Sequence, residues 1–400
     1  MTVPEWISRA RDLAARLARA GVVPSPRWRA AFEQIPRHVF VPRFYEDDEH
    51  GHPTMVDGAD PAERQRWLDA IYSDRMLVVQ VLPIPDALDP TGAPATMWSS
   101  SSSMPSLMAL MLEALDIQDG HRVLEIGTGT GYNAALLCHR LGESGVTSID
   151  ICPELVHEAN GHLAELGYHP TLAVGDGLAG MPDAGPFDRI ISTSATSTIP
   201  PCWIEQLRPG GKIITDLRGD ITGGLILLTK IGADVVSGPY LSSRAHFMWL
   251  RPYAKDPLRP GDPLHGSDLD LRTTGHETTG LDPATLVHDP DLRFFAQLML
   301  PDAVLLHPLP LPAGTVTSLR RGSGSFALVH HAARPDGTFA VDYSGPDNPW
   351  QTVEYTYKQW LTLGRPAPDR FGLTASTAGQ SYYWLDDPDT GPTWPAAHQA

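Results

Sequence analysis

Four hundred residues are more than one ordinary domain and make two the natural expectation, and a hydrophobic share of 42% supplies real cores and excludes global disorder. The formal net charge is −17, from 47 acidic against 30 basic residues. Such a surface repels phosphate backbones, which argues against nucleic acid as partner, and it suits a cationic cofactor or a locally basic peptide. The three cysteines, Cys138, Cys152 and Cys202, form no CxxC pair, so neither a disulfide framework nor a zinc ribbon is expected. No run approaches the roughly 18 apolar residues that span a bilayer. The amino end is an Arg-interleaved amphipathic pattern and not a signal peptide, so no membrane partner and a cytoplasmic location are expected.

Helices are predicted over 5–20 and 27–35, followed by IPRHVFVPRFY, where Pro36 and Pro42 predict an extended turn. Residues 46–67 are polar and aperiodic and read as a surface insertion. A short strand is predicted at 76–82, then a Pro/Gly segment, the serine run Ser99 to Ser103 and a helix from Ser106 to Leu115. From His121 to Lys230 strands, glycine turns and helices alternate: strands at 122–126, 146–150, 170–174, 187–194, 211–217 and 225–230, with helices at 132–142 and 154–167. This alternation predicts a parallel-rich sheet covered on both faces, with ligands at the carboxyl ends of its strands. Beyond residue 240 the alternation stops. The stretch 251–268 is rich in Pro, Gly and Asp; strands are expected at 292–300, 325–331 and 339–345, and a helix over 350–364 ending at Gly364. The fold class is therefore α/β, with a catalytic domain over 1–240 and a C-terminal α+β accessory domain over 241–400 that serves substrate recognition.

Chemistry begins at Glu125-Ile126-Gly127-Thr128-Gly129-Thr130-Gly131, a glycine turn between strand and helix that lets backbone approach a ligand closely. A nicotinamide enzyme carries a similar turn. Asp150 closes the next strand, where a carboxylate accepts hydrogen bonds from ribose hydroxyls. Gly175-Asp176-Gly177 closes the third, with Asp176 placed to accept from an adenine amino group, and Pro209-Gly210-Gly211 opens a later strand. These four features in this order point to a Rossmann-like class I methyltransferase; a dehydrogenase requires only the first two. Three other patterns carry little. His157 and His162 are five apart and diverge by about 140° on a helix, so they cannot share a metal. His330 and His331 alternate faces of a strand and read as structural. The GSGS at 322–325 lacks the ending of a phosphate loop and reads as a turn.

RVLEIGTGTGYNAALL, VTSIDICPELV, GDGLAGMPDAGPFDRIISTSA and PCWIEQLRPGGKIIT, preceded by AFEQIPRHVFVP and YSDRMLVV, resemble the successive motifs of protein L-isoaspartate O-methyltransferases over residues 27–230. The resemblance implies an S-adenosyl-L-methionine site made by Ser101, Ser102, Ser103, Glu125, Gly127, Thr128, Gly129, Asp150, Ile151, Asp176 and Gly177, with no metal. Ser101-Ser102-Ser103-Met104-Pro105 matches the family's Thr-Ile-Ser-x-Pro segment, so Ser103 matches the serine beside the methyl donor and the substrate carboxylate. Ser103 also reads as an N-cap for the helix that follows. Ser101 and Ser102 depart from the family's Thr and Ile, which sets the ordinary isoaspartyl substrate in question. The serine-rich loop, the insertion at 46–67, the extra domain and the tail from DNPWQTVEYTYKQW to RFGLTASTAGQSYYWLDDP are similar to the relatives that accompany ATP-grasp ligases in graspetide maturation. That likeness implies a macrocyclised ribosomal precursor peptide as partner and an aspartate esterified on it, the ester collapsing to an aspartimide. No catalytic base is required, because an aspartate with pKa about 3.9 is already an anion at neutral pH. The alternatives are repair of isoaspartyl residues in aged proteins and a silent Rossmann relative acting as a peptide-binding scaffold.

Overall fold

The computed structural model describes residues 4–49, 51–88, 94–251, 272–311 and 314–396. Most of the Pro/Gly/Asp-rich stretch 251–268, from residue 252 on, lies outside the described residues. Helices α1 (Glu5–Arg19) and α2 (Pro26–Gln34) form where expected, their apolar positions Ala10, Leu13, Ala14, Leu17, Trp28, Ala31 and Phe32 all buried. The segment read as an extended turn contains a single helical turn, α3 (Arg37–Phe40), and the polar insertion is built structure. Strands β1 (Arg43–Asp47) and β2 (Pro53–Asp57) pair as a hairpin and α4 (Arg64–Ile71) follows. Val56 and Trp67 go to the core, and the Trp67 indole donates to Val41 O at 2.9 Å. Two apolar anchors in a polar stretch set no period, which is why sequence pattern alone misses them.

Strand β3 (Leu77–Leu88) runs past its expected end and pairs antiparallel with β4 (Pro94–Ser102), which takes in the serine run up to Ser102. Serine has little strand propensity; here the partner strand supplies the ladder. Helix α5 (Pro105–Ala114) follows. Then come β5 (Val123–Ile126), α6 (Tyr132–Leu141), β6 (Val146–Asp150), α7 (Pro153–Glu165), β7 (Thr171–Val174), β8 (Phe187–Thr196), α8 (Pro201–Glu205), β9 (Leu207–Arg218), β10 (Gly223–Lys230) and β11 (Val235–Pro239). Pro209–Gly211 sits inside β9, at a register shift against β8 where Gly210 has φ +72°.

The rest of the chain forms β12 (Gly275–Thr279), α9 (Pro283–His288), α10 (Pro290–Met299), β13 (Val304–Leu311), β14 (Gly314–Arg320), β15 (Phe326–Ala333), β16 (Phe339–Ser344), α11 (Pro349–Thr362), β17 (Phe371–Ser376), β18 (Ser381–Leu385) and β19 (Thr393–Pro395). The expected strand at 292–300 is the helix α10. Asp289 caps it, accepting from the N–H groups of Asp291 and Leu292 at 3.0 and 3.1 Å, and Pro290 occupies its first turn; a cap followed by Pro is a helix start that outweighs an apolar run.

The central sheet has the order β7–β6–β5–β8–β9–β10–β11–β17–β18–β19. Strands β7 to β9 are parallel and the rest antiparallel. Neighbouring residues feed opposite faces: Val123, Ile191, Ile214 and Leu225 pack under α1, α2, α5 and α6. Leu124, Ile190, Ile213 and Ile226 pack on the other face with α8, α10 and α11. The division expected at 240/241 falls just past β11, yet the tail rejoins the first sheet through β11–β17 pairing. Between them the sheet β12–β16–β15–β14–β13 shares the second core through Leu319, Val329 and Val341.

Candidate active site

A cleft of about 540 Å³ opens at the carboxyl ends of β5, β6 and β8, roofed by β4 and by residues 244–251. Its floor is the glycine turn. Gly127 has φ +93°, and a Cβ there would lie 2.6 Å from Thr193 Oγ1, so only glycine fits this backbone against the end of β8. Gly131 has φ +84°, and a Cβ there would lie 2.9 Å from Ala159 of α7, so glycine lets the start of α6 pack on α7.

Asp150 ends β6 with one oxygen accepting from Gly129 N at 2.8 Å and the other from Cys152 N at 3.0 Å. Each oxygen retains a second lone pair for a hydroxyl. Glu125 is fully buried. Its oxygens accept from Asn133 Nδ2 at 2.8 Å and Ser148 Oγ at 2.6 Å, and Ser148 meets Thr128 Oγ1 at 2.7 Å. Burial, added to by the charge of Asp150, pushes the Glu125 carboxyl up to about 7 despite those two donors. Asn133 Oδ1 is buried and meets no donor. An orphaned acceptor beside two carboxyl groups is a floor suited to a cationic ligand bearing hydroxyl and amino donors, which S-adenosyl-L-methionine is.

Of the residues singled out from the sequence, Ser101, Ser102, Ser103, Glu125, Gly127, Thr128, Gly129, Asp150, Ile151 and Gly177 all line this cleft. Asp176 is not among the lining residues. One of its oxygens instead accepts from Leu178 N at 2.9 Å, tying down the turn that carries Gly177. Ser103 does not cap α5: the N-cap position is Met104 and no side chain caps it.

The serine strand is held from behind by Arg37, whose guanidinium is fully buried. It donates to the carbonyls of Ile71 (2.8 Å), Ser73 (3.2 Å), Arg75 (3.1 Å), Ser102 (3.3 Å) and Ser103 (3.1 Å). Burial lowers its pKa to about 10. Sequence reading missed Arg37, Asn133 and the 244–251 segment. A polar Asn inside the apolar helix YNAALL and the alternation of RAHFMWLR were the signals that marked the last two.

Among the described residues no cluster of metal-ligating side chains occurs, and no helix is long and apolar enough to cross a membrane. His330 and His331 make separate hydrogen bonds, to Asp342 at 2.8 Å and to Thr317 at 2.8 Å.

The sequence profile of Protein-L-isoaspartate(D-aspartate) O-methyltransferase matches residues 62–243. Protein-L-isoaspartate O-methyltransferase 2 of Archaeoglobus fulgidus is 34% identical over 202 residues, 50% of this chain and 74% of its own. The corresponding protein of Hyperthermus butylicus is 34% identical over 237 residues, 56% of this chain and 82% of its own. A solved protein-L-isoaspartate O-methyltransferase superimposes with a TM-score of 0.52 at 22% identity, covering 94% of this chain and 100% of that one; the likeness of fold thus extends past the part matched in sequence. The glycine turn, the acid at the end of β6 and a relative covered over three-quarters of its length agree: the chain belongs to the protein-L-isoaspartate O-methyltransferase family and is an S-adenosylmethionine-dependent protein carboxyl O-methyltransferase.

Proposed function

We propose that the cleft esterifies the side-chain carboxylate of an aspartate in a macrocyclised ribosomal peptide, and that the methyl ester then closes to an aspartimide. The observation that carries this reading is the position of the added part of the chain. Helix α10 reaches the cleft rim, where Asp291 pairs with Arg244 at 3.1 Å, and its Gln297 accepts from Ile221 N and Thr222 N at 2.8 and 3.2 Å. Structure of that extent beside the cleft supports recognition of more than one aspartyl unit.

When bound, S-adenosyl-L-methionine supplies a methyl group already activated on a sulfonium. Asp150, Glu125, Asn133 and the backbone of Gly127 and Gly129 are the groups to hold it. Asp176 acts through the turn that seats Gly177. Ser103 donates to the carboxylate oxygen that does not react, which aims the other along the line of transfer. Arg37 keeps Ser102 and Ser103 in place by holding their carbonyls. Phe247, Trp249 and Leu250 line the cleft with apolar surface, which disfavours water beside the reacting groups. No residue needs to remove a proton, since the carboxylate arrives ionised. The aspartimide forms once the substrate's next backbone nitrogen attacks the ester and expels methanol.

A second reading, repair of L-isoaspartyl residues, is favoured by the names of the relatives and by the fold match that covers 94% of this chain. Mass spectrometry separates the two. The enzyme is given S-adenosyl-L-methionine with a cyclised precursor from the same genome or with a linear isoaspartyl peptide. A net loss of one water from the cyclised peptide, with little change in the linear one, is expected. Efficient methylation of the linear peptide and none of the cyclised one would establish repair.

A further inference from the structure

The charges that line the cleft are segregated. Glu125 and Asp150 lie on the floor; Arg244, His246 and Arg251 all come from residues 244–251 at the rim. This local excess of positive charge opposes the chain's net −17, so a locally basic peptide, expected from composition, would meet like charge at the entrance. The segment is not a loose loop. Ala195 N donates to Met248 O and Leu250 N to Ala195 O, both at 2.8 Å, and Phe247 N donates to Asp216 Oδ2 at 3.0 Å. Extended backbone then alternates its side chains: Ala245 and Phe247 are buried, Arg244 and His246 exposed.

Each arginine is braced and, among the described residues, still has donors to spare. Arg251 gives one N–H to Ser99 O at 3.2 Å, and Arg244 one to Asp291 at 3.1 Å; a guanidinium has five. Arg218 stands behind them, 3.1 Å from His246 Nδ1 and over the Trp249 ring at 5.2 Å. Burial first, then Arg218, Arg244 and Arg293, hold His246 below the ordinary histidine range, which reports the positive field at this rim. The lining also carries exposed apolar side chains: Met76, Trp98 and Met104.

We propose that Arg244 and Arg251 bind a second carboxylate of the substrate, on a residue neighbouring the one esterified, so that the substrate is an acidic peptide segment whose apolar side chains rest on Met76, Trp98 and Met104. This rests on the peptide-carboxylate reading above. A carboxylate engaged at Ser103 leaves the remaining donors of Arg244 and Arg251 to a further one. An arginine fork donates to both oxygens of a further carboxylate and pairs with its charge, whereas an amide of the same shape brings one acceptor oxygen and no charge.

The test is calorimetric titration of the S-adenosylhomocysteine-loaded enzyme. The probes are capped peptides differing only in Glu or Gln beside a central isoaspartate, and the matching aspartyl pair. The Glu peptide is expected to bind about tenfold tighter in at least one pair, and Arg244→Gln with Arg251→Gln to abolish that preference. Affinity for S-adenosylhomocysteine should stay within about twofold, as expected of groups that do not touch it. No preference in the native enzyme, including no binding of any peptide, overturns the proposal. So does a preference that survives in the double variant, or a loss of S-adenosylhomocysteine affinity as large as the loss for peptide, which would assign the arginines to the cofactor's own carboxylate. Methyl transfer is scored separately with S-adenosyl-L-methionine. Preference without transfer refutes the proposed reaction and leaves the arginine assignment; transfer without preference does the reverse.

Discussion

Substituting Glu125→Gln removes an ionisable group from the cleft floor while keeping its shape. The Gln oxygen still accepts from Asn133 Nδ2, and its N–H donates to Ser148 Oγ, whose own proton turns to Thr128 Oγ1. Burial holds the native carboxyl at about 7 against an ordinary 4.5. The folded chain therefore keeps its proton over a range where the unfolded chain has released it. The stability from that proton is fully present below 4.5, declines as pH rises and is gone above about 7, a loss of about 3 kcal/mol. Gln does not titrate, so the variant should gain on the native protein by about 2.5 kcal/mol between pH 5 and pH 8. Urea unfolding followed by tryptophan fluorescence at several pH values measures the gap. A gap that is constant with pH, or a variant that falls further behind at high pH, would refute a buried carboxyl with a raised pKa.

Three further outcomes are expected. Asp150→Ala should weaken S-adenosyl-L-methionine binding by about 1.5–3 kcal/mol, the worth of hydrogen bonds to a charged group; calorimetry showing unchanged affinity would remove Asp150 from the cofactor site. Ser103→Ala should slow turnover on the order of tenfold to a thousandfold with cofactor affinity intact. Since Met104 holds the N-cap position of α5, its melting temperature should barely move, and a large drop would restore a structural role. Arg37→Met leaves five carbonyls without their donor and should cost at least about 3 kcal/mol in thermal or urea unfolding. A variant as stable as the native protein would mean that pairing with β3 alone holds the serine strand.

Most of residues 121–230 was legible, helix α8 and the start of β9 apart, because the elements there are signalled locally. Strands there are short apolar runs, and the helices after β5 and β6 are followed by glycines of positive φ, Gly142 and Gly167; each such unit lies within a short window of the sequence. Asp150 was legible for the same reason, since its place at a strand end follows from the run before it. Asp176 shows the limit. Its position after β7 was readable, but that one of its oxygens ties down the turn by accepting from Leu178 N depends on how tightly the turn closes.

The sequence by itself determined the parallel core, the glycine turn and the acid beside it, and with them the cofactor and the class of reaction. Tertiary structure decided the rest. It made a strand of a serine run through pairing with β3, a helix of 292–300 through an aspartate cap, and a single sheet of strands whose partners lie more than a hundred residues apart, as in Val236 opposite Ala375. It also set three basic side chains at the mouth of a cleft in a chain of net charge −17. Local propensity is a property of neighbours along the chain, whereas pairing, burial and the field at a site are sums over neighbours in space.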